Sequence, residues 1–138
     1  MGYVTLRASV AVEGKPIEQV RALWAAYARG GVEAMHALVG DAPVEWVPLG
    51  AEEPVEPERF WGEWGRRQTE QVSVTVHSFE EHGPCVLAHG SMRTFREGGF
   101  ADVQPSWVYF FRDGTLVRGA GYATREAALE AIGRFRDS

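Results

Sequence analysis

Apolar and polar residues change rhythm several times along this chain of 138 residues. Residues 4–12 alternate, with Val4, Leu6, Ala8, Val10 and Val12 set against Thr5, Arg7, Ser9 and Ala11. A period of two predicts a half-buried strand. Helical spacing follows: Ile17, Val20, Leu23, Trp24 and Tyr27 form one stripe, opened by Gly14-Lys15-Pro16 and stopped by Gly30-Gly31. A second short helix is predicted over 32–39 from Val32, Met35, Leu38 and Val39. Val44-Glu45-Trp46-Val47 reads as a short strand, and 50–57, rich in Glu and Pro, reads as an exposed loop. Phe60, Trp61 and Trp64 predict a third helix over 57–68.

From Gln71 onward the period returns to two. Val72, Val74 and Val76 alternate with Ser73, Thr75 and His77. The next strand, over 85–96, turns at Glu97-Gly98-Gly99 into one over 100–112. Asp113-Gly114 then leads to a last strand over 115–123. An Asp-Gly pair between β-rich runs is a strong hairpin signal, because both turn residues must tolerate φ > 0. Ala128, Ala131, Ile132 and Phe135 close the chain at helical spacing. Helices followed by an antiparallel meander define an α+β protein. The whole of 1–138 reads as a single domain, without a linker or an internal repeat.

Composition narrows the function more than it defines it. The net charge is −5 with no block of like charge, which argues against nucleic acid, whose binding needs clustered Lys and Arg. No apolar run approaches the length that spans a membrane, and no signal-peptide pattern is present. Cys85 is the one cysteine, so there is no internal disulfide framework, and a cytoplasmic location is expected. No Cys/His cluster or His-Glu-x-x-His spacing points to a metal, and no glycine loop points to a nucleotide cofactor. Five tryptophans and an aromatic content of 12% stand out. They suit either a lined cavity or a filled core.

The order of elements resembles the nuclear transport factor 2-like fold, and most of all the SnoaL-like polyketide cyclases and the ketosteroid isomerase group. The resemblance covers about 17–133. It is carried by Ala28-Arg29-Gly30-Gly31-Val32-Glu33-Ala34-Met35, by Asp41-Ala42-Pro43-Val44-Glu45-Trp46, and by the Phe-Arg-Asp-Gly hairpin with Tyr122 and Glu126-Ala127-Ala128-Leu129. It implies a cone-shaped, curved antiparallel sheet packed on three N-terminal helices, an apolar cavity, a short C-terminal helix and a homodimer formed through the sheet. The strand at 4–12 lies upstream of the core (1–15 being additional to it), and is expected to add to a sheet edge or cross to a partner subunit.

The resemblance also locates where its chemistry belongs, and other residues stand there. The isomerase base falls at Val47, the tyrosine at Leu23 and the acid near Trp107, the position that also holds the cyclase aspartate. Attention therefore moves to the strand 85–96, where Cys85, Leu87, His89, Ser91, Arg93 and Phe95 share one face. The resemblance turns that face into the cavity, and a turn centred on Gly98 sets His89 opposite Trp107. On this reading His89 is a general base, Tyr109 a proton donor, and Arg93 a holder of a carboxylate or enolate. Trp24, Tyr27, Trp46, Trp61, Ser91 and Trp107 are the expected ligand-binding residues, for a small apolar or aromatic organic ligand. The reaction would be cofactor-free cyclisation, isomerisation or dehydration of a carbonyl compound. Each of these residues also has a plain role in packing or at the surface, and a non-catalytic binding or interaction module of the same fold is the competing expectation.

Overall fold

The computed structural model describes residues 14–70 and 72–138, with backbone alone at 66–70. The strand expected over 4–12 lies outside the described residues. Three α-helices and six β-strands run in the order α1 (Pro16–Val39), β1 (Glu45–Val47), α2 (Pro57–Glu70), β2 (Val72–His82), β3 (Cys85–Arg96), β4 (Gly99–Val103), β5 (Ser106–Arg112), β6 (Thr115–Tyr122) and α3 (Arg125–Arg136). The sheet order is β1-β6-β5-β3-β2, with β4 paired to the far half of β3. All pairings are antiparallel except β1 with β6, so the curved sheet is mixed.

The two helices expected over 17–39 form one bent α1. Gly30 and Gly31 leave helical geometry inside it, Gly31 with φ of 72°. Only a residue without a Cβ takes that conformation cheaply. At the start of α1, the Glu18 carboxylate accepts from the Lys15 amide. Buried Gln19 then donates to the carbonyls of Gly14 and Gly114, at 2.9 and 3.1 Å. That pair of bonds ties the first helix to the Asp113-Gly114 turn, where both residues have positive φ as the turn requires.

The strand expected over 100–112 is two strands. Proline has no N–H for the ladder, and Pro105 breaks the run between β4 and β5. Its carbonyl instead accepts from the Gly90 amide at 3.2 Å. On the other side of β3, a bulge in β2 falls between Val76 and Ser78, opposite Gly90 and His89. A Cβ at Gly90 would sit 2.2 Å from the Thr75 carbonyl oxygen, so glycine is required there. Bulge, glycine and proline thus lie side by side across three strands and bend the sheet.

The two faces of the sheet bury separate cores. α1 and α2 cover the inner face, where Trp24, Met35, Trp46, Val86, Ala88, Tyr109 and Phe111 pack together. α3 covers part of the outer face, over Cys85, Leu87, Val108, Phe110 and Ala120. Thr124 caps α3 by accepting from the Ala127 amide at 3.1 Å.

Candidate functional site

The register of β3 decides which side chains can meet a ligand. Arg96 pairs with Gly99, so the hairpin has a two-residue turn, Glu97-Gly98, rather than one centred on Gly98. The same register continues into β5, where Ala88 faces Trp107 and His89 faces Ser106. The expected pairing of His89 with Trp107 is therefore off by one residue. A slip of one exchanges the two faces of a strand. Met92 and Thr94 look inward, and His89, Ser91, Arg93 and Phe95 look outward.

The inward residues border a cavity of about 380 Å³ between the sheet, α2 and the β1 end of the fold. Its aromatic lining comes from Trp46 on β1, Phe60 and Trp64 on α2, and Trp107 and Tyr109 on β5. Met35, Met92, Val72 and Val55 add flexible or branched apolar surface. Trp46 reaches this position because β6 carries glycine beside it. A Cβ at Gly119 would lie 2.4 Å from a Trp46 ring carbon, so the ring occupies the space a side chain would fill. Gly121 likewise admits the backbone of Leu49, whose N and Cα would stand 3.1 Å from an added Cβ.

Of the residues the sequence singled out, Trp46, Trp107 and Tyr109 line the cavity. Trp24 and Tyr27 stand behind it in a continuous aromatic cluster. Trp24 meets Trp107 at 5.0 Å between ring centroids and Tyr27 at 5.3 Å, and Tyr27 stacks on Trp64 at 6.2 Å. Trp61 is buried, edge-on to Trp46 and stacked on His36. His89, Ser91 and Arg93 are on the other face of the sheet. There the His89 ring lies 2.9 Å from the Ser106 hydroxyl, and His77 lies 2.7 Å from that of Ser91. Arg93 grips Asp102 with two N–H donors and covers the Phe100 ring at 3.9 Å.

Polar groups inside the cavity are few. Among the described lining residues only Glu63 and Tyr109 are ionisable. The Glu63 carboxylate accepts from Arg59 at 3.0 Å and is half-exposed, at the solvent side. Tyr109 is buried, and burial pushes its hydroxyl far above the usual phenol range, so it is a neutral donor at any physiological pH. The Trp24 indole N–H approaches that hydroxyl, which offsets the effect in part, without completing a hydrogen bond. Thr94 adds a hydroxyl. Glu63, Met92 and Thr94 escaped the sequence reading. Period-two alternation places Met92 and Thr94 on one face but leaves open which face is inside. Glu63 sits among aromatics at helical spacing, where a charge reads as the solvated side of the helix.

No family model matches the chain, and no curated protein sequence matches it. Solved structures do. An NTF2-like protein from Burkholderia thailandensis superposes with a TM-score of 0.67 at 19% identity, covering 87% of this chain and 98% of that one. TerC, co-crystallised with polyporic acid, gives 0.51 at 21% identity over 85% and 97%. A structure of an LEH-like epoxide hydrolase from M. tuberculosis gives 0.56 at 18% identity over 86% and 89%. The chain therefore has the nuclear transport factor 2-like fold, with α+β architecture. No described helix is long and apolar enough to cross a membrane.

Proposed function

We propose that this protein binds a small aromatic carbonyl compound in the inner cavity, with the Tyr109 hydroxyl donating to the carbonyl oxygen. One observation carries the reading: the cavity is lined mainly by apolar and aromatic groups, and its one buried ionisable group is a neutral phenol, which suits a flat apolar body with an acceptor. Trp107 and Trp46 supply the faces against which the body packs. A neutral donor in an apolar pocket also stabilises an enolate as it forms. With Glu63 as the proton acceptor at the mouth, the site suits cofactor-free isomerisation, cyclisation or dehydration. Similarity in fold to TerC, crystallised with polyporic acid, agrees with an aromatic ligand.

A second reading, binding without chemistry, is favoured by a specific observation. The resemblance puts Val47, Leu23 and Trp107 where the isomerase group carries its base, tyrosine and acid, and the one carboxylate at the cavity is half-exposed and held by Arg59. A homodimer through the outer face belongs to either reading. Phe95 and Phe100, 53% and 57% exposed, lie beyond the reach of α3 on the same face as Arg93 and Asp102. A cytoplasmic location fits both.

The test uses 1-tetralone, a bicyclic aromatic ketone, and tetralin, which lacks the oxygen. Wild-type protein should bind the ketone, and Tyr109→Phe should weaken it about threefold to tenfold, the worth of one hydrogen bond, while tetralin affinity holds. Equal binding of both compounds by both proteins would remove Tyr109 from the site. Solvent exchange at the carbon next to the carbonyl, lost in Glu63→Gln, would separate chemistry from binding.

A further inference from the structure

A second recess lies on the opposite side of the sheet, between β6, β1 and α3, with a volume of about 860 Å³. Its floor is apolar, built from Val47, Phe110, Val117 and Ala131. Three arginines line it, Arg112 from β5, Arg118 from β6 and Arg134 from α3, and the last two are the ones that matter here. Among the described residues no ion pair reaches either guanidinium. The Nε of Arg118 is buried and has no hydrogen-bond partner. Glu45 is the strand neighbour of Arg118 in the β1–β6 register, yet the two do not pair. A buried charged donor left unsatisfied is costly, and native proteins rarely keep one without a use.

Both cations bear on one point. Burial raises the Tyr122 phenol, and the charges of Arg118 and Arg134 both pull against that rise. Arg112, the third arginine in the wall, is engaged otherwise, stacked on the Phe135 ring at 4.6 Å. Glu45, Glu52 and Glu130 complete the wall. With acids facing the arginines, a bare multiply charged anion is disfavoured. A single carboxylate on an apolar body satisfies the guanidinium donors and the floor together.

We propose that this groove is a second ligand site, for an organic monocarboxylate with an aromatic body, its carboxylate received by Arg118 and Arg134 and its body resting on Val47, Phe110 and Val117. The sheet lies between this groove and the inner cavity, with Val47 bordering both.

Calorimetric titration of the full chain with 1-naphthoate, 1-naphthamide and inorganic phosphate tests it. Naphthoate should bind, and the neutral amide and phosphate should each bind at least about tenfold more weakly, since hydrogen bonds to charged groups carry that much. Arg118→Gln and Arg134→Gln should each weaken naphthoate by a similar factor and leave 1-tetralone binding alone. Arg134 is on the exposed side of a helix, so its variant keeps the test open should Arg118→Gln fold poorly. Equal binding of acid and amide overturns the proposal, as does naphthoate affinity unchanged in Arg134→Gln. Phosphate binding as tightly as naphthoate would reduce the groove to a bare anion site and also overturn it. So would absence of naphthoate binding in a dimer that Arg134→Gln splits, which would assign the groove to a second copy.

Discussion

Leu87 and Met92 stand five residues apart on β3 and meet opposite surroundings. Leu87 is completely buried, enclosed by Val108, Phe110, Ala128 and Ile132 in a filled layer under α3. Met92 is half-buried and borders open space lined by aromatic rings. Both arise from the same alternating strand, so residue type alone does not distinguish a core position from a cavity wall. The covering element does: α3 lays Ala128, Ala131 and Ile132 on the filled layer, whereas α2 presents Phe60 and Trp64 to the cavity. The sheet is filled around Leu87 and open around Met92.

The contrast is broken most severely by truncating its filled side. Leu87→Ala should cost about 2–5 kcal/mol in urea unfolding and leave 1-tetralone affinity intact. Trp107→Ala should do the reverse, removing most of the affinity with a smaller loss of stability, because its ring packs on Trp24 but also borders the cavity. If both variants lose stability equally, the inner face is an ordinary core.

A smaller effect comes from filling instead of emptying. Gly119→Ala drives a methyl into the Trp46 ring and should cost about 1–3 kcal/mol, and because Trp46 must shift, ketone affinity should fall with it. The outer layer depends next on how firmly α3 is anchored. Thr124→Ala removes its cap and should cost about 1 kcal/mol, read by thermal unfolding, with the inner cavity unaffected.

The least of these effects is electrostatic. Glu80 is held below the usual carboxylate range first by its hydrogen bonds from Arg125, then by His82. Its folded pKa is lowered, so its contribution is present above the unfolded value and is lost as pH falls through the lowered folded value. The pair is largely solvated, so the contribution is small. Arg125→Ala should flatten that part of the acid stability profile, and an unchanged profile would show that the pair adds nothing.

Much of the fold was legible beforehand. Gly30-Gly31, Asp113-Gly114 and the alternation at 72–77 carry local signals strong enough to place a break in helical geometry, one hairpin and strand β2, although the break is a bend within α1 and not the end of a helix. Pro105 was passed over in the reading of 100–112 as one strand, and its missing N–H accounts for the division into β4 and β5. The placement of His89 was not legible, for a definite reason. Glu97-Gly98-Gly99 offers glycine at two successive positions, so turns of two or three residues are both available to it, and the choice between them exchanges inside for outside along all of β3. Trp46, Trp107 and Tyr109 were accessible because aromatic residues on short inner strands have few other places to go. The Arg118 groove depends on the packing of α3 against β6, a contact between elements that no local pattern encodes.

The most direct test of this account is a methyl spectrum of protein labelled at methionine, recorded as 1-tetralone is added. Met35 and Met92 both line the inner cavity, on α1 and β3. The account predicts that both methyl signals move together with saturation, and that neither moves in Trp107→Ala at the same concentration. Signals that stay fixed while the ketone binds, or ketone binding that survives in Trp107→Ala, would contradict it.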